Sequence, residues 1–238
     1  MPNGAITRSQ FDTARAQFTD RFLINATALP GQGLQYFAYG DLKALVDPIE
    51  EPYRLVVVHY GLKEDALRYG FSFTYGTPIK NTDSYSYPPQ IDPTHLLTSA
   101  GFDPITPAAW APMRKDYLDR MWTKRDTGPF EPLTAVDALR CIFPWDAELE
   151  PLYTDNVGAG VYRMAVESIS RYHEAQVGYD NKTSLKGYRH EIGFYMERYL
   201  EDKWVRLLSD DVENAPYRNR AADYGNLCPV RCSTYTEV

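Results

Sequence analysis

The chain has 238 residues, a 44% hydrophobic and 24% charged composition and a net charge of −7. It is long enough for one substantial core, and its ordinary globular mix excludes collagen, coiled coil and disorder. An acidic chain without blocks of like charge is also a poor binder of nucleic acid. The longest apolar run, Leu55–Leu62, is strand-sized and holds a His, well short of the roughly 18–20 residues of a membrane helix. The first fifteen residues are polar and lack the apolar stretch of a signal peptide, so the expected location is the cytoplasm. Three cysteines, an odd and small number, fit a reducing compartment better than a disulfide framework.

The elements follow in chain order. Ser9 to about Ala26 reads as an amphipathic helix, with Ser9 and Asp12 resembling a capping box and Phe11, Ala14, Phe18 and Phe22 at helical spacing. Three strand-like runs come next. Leu34–Tyr39 is short and aromatic, and Tyr53–Tyr60 is nearly continuous in apolar character, as a strand buried on both faces would be. Leu67–Tyr75 alternates, placing Leu67, Tyr69, Phe71, Phe73 and Tyr75 on one face and Arg68, Gly70, Ser72 and Thr74 on a wet one. The short link Gly61–Ala66 pairs the last two as a hairpin.

From Gly76 to Ala108 periodicity gives way to prolines, with a single helical turn expected around Thr94–Ala100. The remainder reads as mainly helical, over Ala108–Lys124, Pro132–Cys141, Gly160–Gln176 and Leu185–Leu208, before an irregular tail over 209–238. The expected fold is therefore α+β: a small antiparallel sheet of about three strands, residues 34–75, packed with an N-terminal helix and a mainly helical C-terminal half. We expect one domain over 1–238, with the Pro-rich stretch 76–108 as its natural sub-boundary.

Motifs for phosphate loops, dinucleotide sites and the serine nucleophile elbow are absent or misplaced. GQGLQY at Gly31 lacks the third glycine and a preceding strand, and VGAGVY at Val157 reads as a loop opening a helix. His173 and His190 each begin a His-Glu pair but lack the second His of a zinc-protease helix. Cys228 and Cys232, four apart, could supply half of a zinc site that Cys141 or a His completes, or form a redox pair beside Arg231. Asp92 and His95, a turn apart, with His59 at the end of the buried strand, could form a general-base site.

The broadest signal is an excess of tyrosine, 19 residues, and proline, 17 residues. Tyr85, Tyr87, Tyr217, Tyr224 and Tyr235 fall in irregular segments, where rings on stiffened loops suit intermolecular contact. The expectation is a non-enzymatic, self-assembling or scaffold protein whose partner is itself or another protein, with no cofactor, nucleic acid or membrane. The alternative is an enzyme or small-ligand-binding protein built on His59, Asp92 and His95, or a zinc site at Cys228, Cys232, His173 and His190.

Overall fold

The computed structural model describes residues 5–20, 33–78, 85–86, 92–119, 140–173, 187–211, 217–222 and 226–228. Within them the chain runs β1 (Ala5–Ile6), α1 (Arg8–Phe18), β2 (Gln35–Phe37), α2 (Tyr39–Val46), β3 (Arg54–Lys63), β4 (Ala66–Tyr75), β5 (Thr77–Pro78) and β6 (Tyr85–Ser86). It continues through β7 (His95–Thr98), β8 (Gly101–Pro104), α3 (Pro107–Tyr117) and β9 (Arg140–Pro144) to a π-helical turn (Trp145–Leu149) and α4 (Glu150–Thr154). The last elements are β10 (Tyr162–His173), β11 (Gly187–Leu200), β12 (Lys203–Arg206), β13 (Ala221–Ala222) and β14 (Asn226–Cys228).

Two antiparallel sheets carry the fold. The first has the order β1-β13-β11-β10-β2, with β12 also paired to β11. The second has the order β14-β9-β3-β4-β7-β8, and β5 and β6 form a separate ribbon. The expected α+β arrangement, with about three strands and a helical second half, is thus overturned: two large sheets pack face to face. Gly160–Gln176 and Leu185–Leu208, read as helices, supply β10, β11 and β12. Thr94–Ala100, read as a helical turn, opens the β7–β8 hairpin. The end of Pro132–Cys141 belongs to β9, and its first eight residues lie outside the described ones.

The physical reason is double-sided burial. Met164 and Val166 point into the space between the sheets, while Ala165 and Ile169 point outward under α1. A strand apolar on both faces loses its period of two, and the merged set then imitates helical spacing. The same effect corrects the wet face of β4. Ser72 and Thr74 are buried, and a Cβ on Gly70 would lie 2.7 Å from Pro93 and 3.1 Å from Trp110 of α3. Glycine lets that helix approach the sheet closely.

Between the sheets lies one core. Val56, Val58, Tyr60 and Leu62 of β3 and Leu67, Tyr69 and Phe71 of β4 meet Met164, Val166, Ile192, Phe194 and Met196 of the other sheet. Fully burying each such aliphatic or Phe side chain contributes about 1.5–3 kcal/mol before entropy is subtracted. Phe143 meets Phe194 edge-on at 4.8 Å, and Phe37 does the same to Phe102 at 5.2 Å, the geometry that the ring quadrupole favours.

On the outer face of the first sheet, α1 begins at Thr7, not at Ser9. Thr7 and Gln10 form a reciprocal capping box, while Ser9 bonds through its N–H and hydroxyl to Asp210. The expected stripe of Phe11, Ala14 and Phe18 is buried; Phe22 lies outside the described residues. Phe11 packs edge-on to Tyr195 at 5.1 Å. It sits directly over Gly193, where a Cβ would come within 2.5 Å of the ring. The glycine that would weaken a helix is thus the clearance a strand needs.

The hairpins β3–β4 and β11–β12 turn through the same dipeptide. Glu64 and Asp65 have φ of 49° and 62°, and Glu201 and Asp202 have 48° and 61°. Positive φ at both central residues of a two-residue loop is the type I′ pattern, which suits Asn-Gly best. Replacing Glu201-Asp202 by Asn-Gly should raise stability by about 1 kcal/mol, read as a shift of the urea unfolding midpoint.

Candidate functional site

A buried polar assembly lies inside the core, centred on His190 of β11. Its Nε2 is 2.8 Å from Ser168 Oγ, its Nδ1 is 2.6 Å from Tyr117 Oη, and Ser168 Oγ is 2.6 Å from Tyr69 Oη. Tyr69 also donates its hydroxyl proton to the carbonyl of Gly33. A carbonyl only accepts, so this contact orders the rest. Tyr69 spends its proton there, Ser168 donates to Tyr69, and His190 Nε2–H donates to Ser168; in the neutral ring Tyr117 donates to Nδ1. Below it, Tyr60 stacks on the imidazole at 4.1 Å, lies 2.7 Å from Cys141 Sγ and donates to the His190 carbonyl at 3.3 Å.

The chain ties both sheets and α3 together. Tyr60, Tyr69 and Cys141 come from one sheet, Ser168 and His190 from the other, and Tyr117 from the helix, and all are buried. Tyr69 is raised far above the usual phenol range, chiefly by burial and against the opposing hydrogen bond with Ser168, so it keeps its proton. Chemically the assembly can order protons and hold geometry. A reacting group needs access to substrate, and this one is enclosed.

A second histidine–serine pair lies on the outer face of the other sheet. His59 Nε2 is 2.8 Å from Ser72 Oγ, and His59 is 6% exposed. Burial, with the charges of Arg140 and Arg114 acting in the same direction, lowers its pKa to about 3. His59 pairs with Gly70, which pairs with Leu96, whereas His95 pairs with Phe71, opposite Val58. Directly opposed residues share a face and successive ones alternate, so His59 and His95 project from opposite faces of the sheet. His95 lies at the half-buried edge, its Nδ1 3.0 Å from Thr94 Oγ1, and Asp92 is exposed.

The remaining sequence candidates disperse. Both ring nitrogens of His190 face hydroxyls. The backbone of His173 ends β10 opposite Gly187, and Cys228 ends β14 opposite Arg140. Cys232, Tyr87, Tyr224 and Tyr235 lie outside the described residues, and Tyr85 is placed only as part of β6. Tyr217 is a core residue, 2% exposed, its N–H bonded to Asp155. Among the described residues no group of three or more His, Cys, Asp or Glu stands where it could hold a metal ion. No described helix is long and apolar enough to cross a membrane.

Sequence reasoning missed the outer face of the first sheet beyond α1. Arg163 makes two hydrogen bonds to Glu197 Oε2, at 2.8 and 2.6 Å. Its guanidinium lies 3.5 Å from the Tyr36 ring centre and 4.1 Å from that of Trp204. Arg206 lies 3.7 Å from Glu167, 4.0 Å from Glu197 and 3.9 Å from Asp12. Burial raises the Glu167 carboxyl above its ordinary range although Arg206 and Arg15 pull it back. The cations are therefore answered within the chain. At the open end, Val161 is 61% exposed, Tyr199 42% and Leu200 37%, with the Trp204 ring 5.3 Å from that of Tyr199 and tilted 60° to it. A cross-strand row such as Val161–Tyr199–Trp204 leaves no local sequence pattern.

Comparison of the chain with protein-family models, curated proteins and solved structures finds no match.

Proposed function

We propose that this protein works without catalysis, through protein–protein contact, as a self-assembling or scaffold component. The observation that carries the reading is the open end of the β10–β11–β12 face. Val161 and Tyr199 are exposed together on that face beside Trp204 and the stacked Arg163, and Leu200 is exposed at the same end of β11 on the opposite face. Tyr, Trp and Arg around a small apolar centre is the composition of interface hot spots. Its cations are neutralised internally, so the patch suits an uncharged or like surface better than a charged ligand. Both histidine–serine pairs, by contrast, are enclosed in packing, which supports a structural use for them.

Sedimentation velocity over roughly 1–100 µM tests the reading, since contacts of this kind fall in that affinity range or tighter. The expected result is concentration-dependent association that Tyr199→Ser with Leu200→Ser weakens at least roughly tenfold, without moving the urea unfolding midpoint. A wild-type monomer throughout that range would overturn it.

A further inference from the structure

The β12 strand has an open edge. In the β11–β12 hairpin Leu200 pairs with Lys203, Arg198 with Val205 and Glu197 with Arg206, and the N–H of Leu207 bonds to the Met196 carbonyl at 2.9 Å. Hydrogen-bonded and non-hydrogen-bonded pairs alternate in an antiparallel ladder. The Leu207–Met196 bond therefore assigns Val205 to the bonded set, facing β11. The N–H and carbonyl groups of Trp204 and Arg206 then point the other way. Among the described residues no strand pairs with that side of β12.

Side chains flank this edge in a defined order. On the outer face, Val161 neighbours Tyr199, whose N–H bonds the Val161 carbonyl, and Tyr199 neighbours Trp204. One row further, Arg163 neighbours Glu197 and Glu197 neighbours Arg206. Val205 projects from the opposite face, being opposite Arg198.

Resting on the self-assembly reading above, the geometry points to β12 as the contact: a second copy of this chain adds its own β12, antiparallel, to make one continuous sheet across a two-fold axis. The register is self-complementary. With the axis at Val205, Trp204 of each copy stands opposite Arg206 of the other, and these are the residues whose backbone groups face outward. They close four N–H···O bonds. Each Trp204 ring gains a guanidinium neighbour, and the outer face becomes an unbroken row from Val161, Tyr199 and Trp204 of one copy to Arg206, Glu197 and Arg163 of the next. Aromatic against cation on both sides of the axis is what an isologous contact requires, and strand addition supplies it through main-chain bonds. Lys203, exposed at the head of a four-residue strand, is the kind of charged edge residue that discourages indefinite pairing. The assembly therefore closes at two copies.

Charge exchange on the axis tests this with the full chain. Val205→Glu and Val205→Lys each place like charges opposite one another in the dimer while leaving the β11 ladder intact. Sedimentation velocity should show each variant associating at least about 30-fold more weakly than wild type, and an equimolar mixture should recover the dimer. In parallel, Val205→Cys should give a 205–205 cross-link under mild oxidation, because non-hydrogen-bonded pairs hold Cα atoms about 4.5 Å apart, within disulfide reach. If wild type associates but both charged variants match it, or the mixture stays monomeric, the β12 contact is wrong and the broader self-assembly reading stands. A missing 205–205 cross-link in an associating Val205→Cys protein likewise overturns the β12 contact. If wild type itself is monomeric, both readings fall.

Discussion

Acidification from pH 6.5 to 4.5 should cost the folded state about 2 kcal/mol through His59 alone. The folded imidazole has its pKa lowered from 6.5 to about 3, because it is buried against Trp110 and Ser72 with Arg140 and Arg114 opposing its charge. The unfolded chain takes up the proton near pH 6.5 and the folded chain resists it until about 3. The stabilisation is therefore complete above pH 6.5 and falls by about 1.4 kcal/mol per pH unit below it. Glu167 acts in the opposite sense. Burial raises its carboxyl, so its folded form holds a proton that the unfolded chain has released, and its contribution declines as pH rises through the carboxylate range. Urea unfolding of wild type and His59→Gln at successive pH values separates the two. The variant should lose the slope between pH 6.5 and 4.5; parallel profiles would show that His59 is not the group responsible.

Replacing His190 by Leu should have the largest effect of any conservative core substitution, a loss of about 3–4 kcal/mol. Leucine fills much of the volume but takes the donor from Ser168 and the acceptor from Tyr117 in a place that water does not reach. Against a typical stability of about 5–15 kcal/mol, that is a large share. Tyr69→Phe should cost about 1–3 kcal/mol, because it removes the proton donated to Gly33 and the oxygen that Ser168 uses. The two substitutions share Ser168, so their effects should not add, and a coupling of about 1 kcal/mol or more is expected in the double-mutant cycle. Urea midpoints measure all three variants. A His190→Leu protein within about 1 kcal/mol of wild type would mean that the hydroxyl chain contributes little.

These expectations concern residues that the sequence marked for other reasons or not at all. His190 stood out because of the Glu beside it, which suggested a metal ligand. Its actual partners, Tyr69, Tyr117 and Ser168, come from two strands and a helix far apart in the chain, so no spacing rule could have gathered them. The burial of His59 is legible at the end of an apolar run; its partner Ser72 alternates onto what reads as a wet face, because nothing local announces that Trp110 and Pro93 cover β4.

Where a segment's environment is set by its immediate neighbours, the amino-acid order was sufficient. The Phe11, Ala14 and Phe18 stripe makes a helix because it has one covered side, and the β3–β4 hairpin follows from an apolar run, a short charged turn and an alternating run. Where a segment is enclosed on both sides, the periodicity that distinguishes strand from helix is erased. The choice then passes to the partners: β10 and β11 are strands because each pairs with the other over its length and offers faces to both α1 and the second sheet. Exposure is likewise a property of the assembled sheets. Val161 and Tyr199 carry no mark of it in sequence, and they become a surface only because α1 stops short of that end of the outer face.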